Sequence, residues 1–139
     1  MGTWGDGPFG SDAAQDLLEQ LEESTLADRR AELMRILGAA VNRIDGEEVL
    51  PDEILAGVAV VVANLPAGAE LPWNEEVSGL VDWLPEADAG QLRDSALEAL
   101  ETAFSPGNQW WESWVDQGDR ARMQSVIDRM RVVLDAAGR

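Results

Sequence analysis

The chain has 139 residues, 45% of them hydrophobic, and carries 27 acidic against 10 basic side chains, a formal net charge of −17. It contains no histidine, cysteine, tyrosine or lysine, so every one of its basic residues is an arginine. Proton transfer and nucleophilic catalysis in enzymes usually recruit one of these four residue types. The composition therefore excludes a Ser-His-Asp triad, a Schiff base and any thiolate or imidazole metal site. The chemistry that it leaves is that of carboxylates.

The N-terminal part of the chain is predicted to be helical after a short irregular segment. Residues 1–10 are rich in glycine and show no periodicity, so we expect an irregular strap there. A cap at Ser11 or Asp12, followed by apolar residues at intervals of three and four, predicts the first helix. The second helix is predicted to follow a cap at Thr25 and to end at the Asp-Gly pair at 45–46, because glycine suits the left-handed conformation after a helix.

The middle of the chain contains its most apolar segment. Pro51 suits the first turn of a third helix, whose apolar spacing continues to Leu65. Gly57, inside that helix, is expected to allow close approach by a neighbouring helix. The segment 64–72 is predicted to be a loop, after which Asn74 is expected to cap a short helix that bears four apolar residues and stops at a proline.

The C-terminal part is predicted to contain a helix over about residues 87–104, a short aromatic segment at 110–115 and a last helix that begins near Gly118 or Asp119. No segment alternates long enough to form a sheet. The sequence therefore predicts an all-α fold, a single compact bundle of about six to seven helices in which residues 1–139 form one domain.

The negative charge is unevenly distributed along the chain. No basic residue lies between Arg43 and Arg93, and residues 44–92 contain four aspartates and seven glutamates. Since cations that neutralise phosphates dominate nucleic-acid binding, neither nucleic acids nor anionic membranes are expected partners. A negative face would steer a basic protein partner, although solubility alone also accounts for an acidic surface. Without a recognisable signal segment, we expect a cytoplasmic protein.

One carboxylate pattern suggests catalysis. The pairs Glu19/Glu22 and Glu98/Glu101 have the E-x-x-E spacing found in all-helical, magnesium-dependent nucleotide pyrophosphatases. The four side chains would have to converge in space to bind a divalent ion, and such enzymes also use basic residues to hold phosphates. Because this spacing is common on exposed helices, a solvated face is the preferred interpretation and a carboxylate-dependent metal hydrolase is the alternative.

The opening segment MGTWGDGPFGSDAAQDLLEQLEE resembles the M-G-x-W-G-x-G-x-F-x-x-D-x-A-x-D opening of the DUF4259 family of small bacterial proteins. The segments GEEVLPDEILAGVAVVVA and QWWESWVDQGD look like the central helix and the C-terminal part of that family, so the resemblance spans essentially the whole chain. The chain departs from the family pattern at Gly10, Ser11 and Leu18. Since the family has no assigned activity, the resemblance implies a fold and a small stand-alone protein, not a mechanism.

The leading functional hypothesis is a non-catalytic, acidic protein-interaction module that needs no cofactor. An immunity or antitoxin-like inhibitor of a basic partner is one concrete form, and a purely structural or self-associating protein is a further possibility. Most of the six tryptophans are expected to pack in the core, with one of them exposed as an anchor for the partner. The predicted contact residues are Glu47, Glu48, Asp52, Glu53, Glu75, Glu76 and the exposed tryptophan, Trp110.

Overall fold

The structure, a computed structural model, describes the backbone of residues 12–42, 51–65, 68–69, 71, 74, 77, 79–103 and 117–137. Some side chains near the ends of the helices, at 12–13, 40–42, 51–52, 103, 117–120 and 122–123, are not described. Three predictions lie outside these residues. They are the glycine-rich strap at 1–10, the helix end at 45–46 and the aromatic segment at 110–115.

Five α-helices and one short 3-10 helix make up the described part of the chain, in which no strand occurs. The all-α prediction is confirmed, whereas the predicted number of six to seven helices is not. None of the described helices is both long and apolar enough to cross a bilayer. The elements are α1 (Asp12–Glu23), α2 (Leu26–Asn42), α3 (Pro51–Ala63), the 3-10 helix Leu80–Asp82, α4 (Glu86–Ala103) and α5 (Gln117–Ala137).

The turn between α1 and α2 forms as the sequence predicts. The backbone N–H of Asp28 donates a hydrogen bond to the Thr25 hydroxyl oxygen at 3.2 Å, which satisfies a backbone donor in the first turn of α2. The Ser24 hydroxyl donates to the Gln20 carbonyl at 2.7 Å at the other side of the turn. These two local bonds let α1 end and α2 begin within two residues.

Helix α3 lies at the centre of the molecule and packs against the four other helices and the 3-10 helix. From Ile54 to Ala63 every one of its residues is buried, including those between the apolar positions whose spacing predicts the helix. A helix that is apolar on all sides is stable only when other elements surround it. The run Val58–Ala63 thus reflects a fully enclosed helix.

One continuous core connects the five helices. The apolar stripes predicted on α1, α2, α4 and α5 are buried wherever their side chains are described. Trp83 is also buried, with 7% of its surface exposed, in agreement with its expected packing role. Stripe residues that the sequence predicted and the structure buries include Ala14, Leu17, Leu18, Leu21, Leu33, Ile36, Leu37, Leu92, Ala96, Ala99, Leu100, Val126, Ile127, Met130 and Leu134.

The predicted short helix after Asn74 is wrong. Backbone hydrogen bonds between residues three apart run through this region, including Val77 N–H to the Asn74 carbonyl and Leu80 N–H to the Val77 carbonyl, both at 3.3 Å. Gly79 has the left-handed φ of 73° at the start of the 3-10 helix, so a continuous α-helix from 74 to 84 is impossible. Val81, assigned to the apolar face, is 41% exposed.

Asn74 itself has a different role from the predicted cap. Its side-chain Nδ2 donates backwards to the carbonyls of Gly68 at 2.8 Å and Ala69 at 3.2 Å. The side chain therefore holds the preceding loop in place and does not accept a bond from a following helix.

Substitution by alanine is expected to change the free energy of unfolding in opposite directions at two packed glycines, Gly57 and Gly68. A Cβ on Gly57 would meet side-chain atoms of Ile36 and Leu33 at 3.7 Å, an ordinary contact, whereas a Cβ on Gly68 would lie 1.9 Å from the Val62 carbonyl oxygen. We expect Gly57→Ala to raise the free energy of unfolding by about 0.5–1 kcal/mol, since alanine favours the helix. We expect Gly68→Ala to lower the free energy of unfolding by about 1–2 kcal/mol, since the backbone at Val62 or at residue 68 must move to make room for the Cβ.

Urea unfolding of the two glycine variants checks this pair. If the free energy of unfolding changes in the same direction in both variants, the packing around α3 is not as described.

Candidate interaction surface

The structure describes few of the predicted contact residues. Glu53 lies in the first turn of α3, is half-buried and is already engaged in an interaction within the protein. Asp52 also belongs to that turn, but its side chain is not described. The remaining contact residues Glu47, Glu48, Glu75, Glu76 and Trp110 lie outside the described part of the chain, so their place in a common surface stays a prediction.

Arg29 is the most extensively bonded cation among the described residues. Its guanidinium donates to the Leu21 carbonyl at 2.7 Å, to the Trp83 carbonyl at 2.6 Å, and to two further carbonyls, those of Glu22 and Ser24, at 3.3 and 3.2 Å. It also lies 5.4 Å from the centroid of the Trp83 ring. One side chain of α2 thus satisfies the last carbonyls of α1 and holds them against the segment that precedes α4.

This arrangement answers an electrostatic problem in α1. The last turn of α1 has no basic residue but contains Glu22 and Glu23, whose charges are unfavourable at the negative end of a helix. The Arg29 guanidinium places a positive charge at that end from outside the helix. The cation therefore serves the fold and not an external ligand.

The other arginines with described side chains are engaged as well. Arg30 pairs with Asp88 at 3.3 Å, which joins α2 to α4, and Arg131 pairs with Asp128 at 3.5 Å. Arg93 donates to the Leu134 carbonyl in the last turn of α5 at 2.6 Å. The remaining partners of the described arginines are Glu32 for Arg35 and Asp94 for Arg93. Arg129 also has an interaction within the protein.

Four exposed carboxylates of α1 have no ion-pair partner of this kind among the described residues. Asp16, Glu19 and Glu23 lie on one face of the helix, at intervals of three and four, and all three are exposed, as is the neighbouring Glu22. Within the described ranges no ion pair neutralises any of these four side chains. With Gln15 and Gln20 as the other exposed residues from 15 to 23, the outer face of α1 carries negative charge and no positive charge. We call this set the α1 acidic face.

The four glutamates of the hydrolase hypothesis are exposed residues of α1 and α4. Glu19 and Glu22 belong to the α1 acidic face, and Glu98 and Glu101 lie on the solvent side of α4. Among the residues that the structure describes, no group of three or more acidic side chains is arranged to hold a metal ion. The hydrolase thus remains a hypothesis without a described site.

Two side chains have structural roles that the predictions above do not include: Arg29 at the end of α1, and Asn64, which bonds the Leu80 carbonyl and the Leu84 N–H. Arg29 had one available signal, the acidic last turn of α1, which calls for a cation from another element. Asn64 had none, because an asparagine in a predicted loop next to prolines is ordinary turn composition. Its buried position follows from tertiary packing alone.

The fold and surface define the class of the protein: a small, all-helical, strongly acidic protein whose described arginines are engaged internally. Within that class, the chain belongs to the DUF4259 family, a domain of unknown function, whose sequence model matches residues 2–126. The match begins within the glycine-rich opening and ends inside α5. No curated protein and no solved structure matches the chain.

Proposed function

We propose that this protein is a non-catalytic interaction module whose acidic surface binds a basic protein partner, in the manner of an immunity protein or an antitoxin-like inhibitor. The surface comprises six of the eleven acids of the segment 44–92, with Trp110 as an aromatic anchor. The six acids are Glu47, Glu48, Asp52, Glu53, Glu75 and Glu76. The compartment proposed for this encounter is the cytoplasm.

The observation that supports the proposal is the separation of the two kinds of charge. Each of the six arginines with a described side chain has a partner inside the protein, whereas exposed carboxylates such as Asp16 and Glu19 form no ion pair with any described residue. A surface that attracts a cationic partner benefits from having no free arginine, because such a charge would repel the partner.

The physical consequence is fast, salt-sensitive association. Complementary charge on two surfaces raises the rate of encounter and disfavours wrong partners, and the effect weakens as salt screens the charges. Blocking the cationic cleft of an enzyme requires no chemistry of the inhibitor, which agrees with a composition that lacks histidine, lysine, tyrosine and cysteine.

Charge reversal on the predicted surface tests the proposal. The partner is first captured from the native lysate on the immobilised full chain, identified by mass spectrometry and purified. The test variant replaces Glu47, Glu48, Asp52 and Glu53 by arginine. We expect its affinity for the partner, measured by calorimetry, to fall by about a hundredfold, because each reversal converts an attraction into a repulsion.

A matched control distinguishes the effect of charge at the proposed contact residues from the effect of the protein's total charge. It replaces four exposed acids of α4 and α5, Glu98, Glu101, Asp128 and Asp135, by arginine and so makes the same change in total charge. We expect this control to bind within about threefold of the unmodified protein, since none of its four positions is a proposed contact residue. Equal losses in both variants, or no loss in the test variant, would contradict the proposed surface, provided that circular dichroism shows both to be folded.

A further inference from the structure

Helix α2 exposes several apolar residues on one side. Leu26 and Met34 are 41% and 51% exposed, and Ala27 and Ala31 are exposed as well. The positions 27, 31 and 34 are separated by four and three residues, so they are neighbours on the helix surface, with Leu26 beside them at the start of the helix. We call these four residues the α2 apolar face. A group of exposed apolar residues on one side of a helix indicates contact with another molecule.

The charge around this face is nearly balanced, unlike the charge of the protein as a whole. Helix α2 has three arginines and two acidic residues, whereas α1 has five acidic residues and no basic one. Arg29 is engaged at the end of α1, which leaves two cations against the two acids on α2. Two copies of a chain with a net charge of −17 repel each other where their acidic surfaces meet, so α2 offers a contact with little repulsion.

Two charged residues beside the α2 apolar face make it complementary to itself. Asp28 and Arg35 are seven residues, about two turns, apart and thus lie on the same side of the helix, one before and one after Ala31. A two-fold axis at Ala31 that relates two antiparallel copies places residues before the axis opposite residues after it. Arg35 of each copy then faces Asp28 of the other, and Met34 faces Ala27.

Both members of this charge pair are accessible. Asp28 is exposed, and within the described ranges no ion pair neutralises its carboxylate. The Arg35 side chain is 43% exposed and pairs with Glu32 on the same surface. Because a guanidinium has five N–H donors, it can bind a carboxylate of a second copy in addition to that of Glu32.

We propose that this protein forms a homodimer in which α2 pairs antiparallel with α2 of a second copy, about a two-fold axis at Ala31. Pairing removes Leu26 and Met34 of both copies from water, and the alanines between them allow the two helices to approach closely. The two contacts between Asp28 and Arg35 set the antiparallel direction, since a parallel pair would bring like charges together. The inference uses a surface other than the proposed acidic contact and does not depend on a basic partner.

Sedimentation equilibrium of the full chain measures the dimer directly. We expect a monomer–dimer equilibrium with a dissociation constant of about 10 μM, because an interface of one helix face is small. Met34→Glu is expected to raise this constant at least about tenfold. Its matched control, Val132→Glu, makes the same change in charge at a valine of α5 that is 68% exposed, and we expect it to leave the constant within about twofold.

Exchange of the two charges tests the direction of pairing. Asp28→Arg and Arg35→Asp, made singly, place like charges opposite each other, so each is expected to raise the dissociation constant by about tenfold. The double variant has the net charge of the unmodified protein and restores opposite charges, so we expect its dissociation constant to return to within about threefold. A double variant that dimerises no better than the single ones would contradict the contact between Asp28 and Arg35.

The absence of cysteine from the chain allows a test of the axis itself. Two copies of Ala31→Cys place their thiols at the axis, within reach of a disulfide, whose Cα atoms lie at most about 7 Å apart. We expect this variant to form a covalent dimer under mild oxidation, and Ala121→Cys, at an exposed position of α5, to form none at the same concentration. A monomeric chain, equal effects of Met34→Glu and Val132→Glu, or equal cross-linking of the two cysteine variants would each overturn the proposal.

Discussion

Replacement of Asn64 by leucine is expected to lower the free energy of unfolding by about 2–4 kcal/mol, because it leaves a buried backbone donor without a partner and removes two further hydrogen bonds. Asn64 is 7% exposed and lies just after α3. Its Nδ2 donates to the carbonyls of Val60 at 2.9 Å and Leu80 at 3.0 Å. Its Oδ1 accepts from the Leu84 N–H at 3.0 Å.

These three bonds explain why one asparagine has a large effect. Two of them join the end of the central helix to Leu80 and Leu84, the two ends of the segment 80–84, and the third is made to the Val60 carbonyl of α3 itself. Leucine has a similar volume and fills the space, but the Leu84 N–H, in a residue that is 4% exposed, would have no acceptor from this side chain. Urea unfolding measures the change in the free energy of unfolding. An unchanged m-value would show that the substitution acts on the stability of the folded state and not on the compactness of the unfolded state.

A control for the Asn64 variant is Gln20→Leu, which makes a comparable change at an exposed position of α1. We expect it to alter the free energy of unfolding by no more than about 0.5 kcal/mol. A loss below about 1 kcal/mol in Asn64→Leu would mean that the three hydrogen bonds contribute less than a typical buried network.

The second large effect is expected at Arg29. Arg29→Met keeps much of the aliphatic packing but removes four hydrogen bonds to carbonyls, the contact with the Trp83 ring and the only described positive charge near the end of α1. We expect a loss of about 2–4 kcal/mol, since hydrogen bonds to charged groups exceed neutral ones and the carbonyls of Leu21 and Trp83 lose a partner. Thermal or urea unfolding gives the value.

The neighbouring Arg30 supplies the matched control. Arg30→Met makes the same change in charge and side chain on the same helix, but Arg30 is 42% exposed and has one ion pair, to Asp88, and one bond to Gln91. Exposed ion pairs contribute about 0–1 kcal/mol, so we expect a loss in that range. Equal effects of the two substitutions would show that net charge, and not the position of Arg29 at the end of α1, determines stability.

The fold was largely predictable where local sequence alone decides it. Pro51 begins α3, Thr25 caps α2, and the spacing of apolar residues on α1 and α5 matches the buried faces. These features depend on neighbours within a few residues, for which propensity and periodicity are adequate guides.

The region between α3 and α4 was predictable only in part, because its structure depends on distant contacts. Periodicity over residues 77–84 suggested a helix, but the left-handed φ at Gly79 ends any such helix. The Asn64 side chain bonds the Leu80 carbonyl and the Leu84 N–H, and the Asn74 side chain holds the preceding loop. Neither role has a local signature. The internal use of Arg29 had one signal, the acidic last turn of α1, but its partners could not be predicted, since they include carbonyls of α1 and that of Trp83, 54 residues away.

The sequence allowed the negative charge of the candidate surface to be predicted, but not the arrangement of its residues in space. The sequence shows the excess of acids directly, and the structure adds that the described arginines form no ion pair with the α1 acidic face. A shared surface among the predicted contact residues depends on long-range packing, which their spacing along the chain does not encode.

Salt dependence of the association rate constant tests the central claim, that uncompensated surface acids attract a cationic partner. With the purified partner in stopped-flow fluorescence, the account predicts a fall of about tenfold or more in the association rate between 20 and 300 mM salt, and little change in the dissociation rate. An association rate that stays constant over this range would contradict it, because the surface charge would then have no part in recognition.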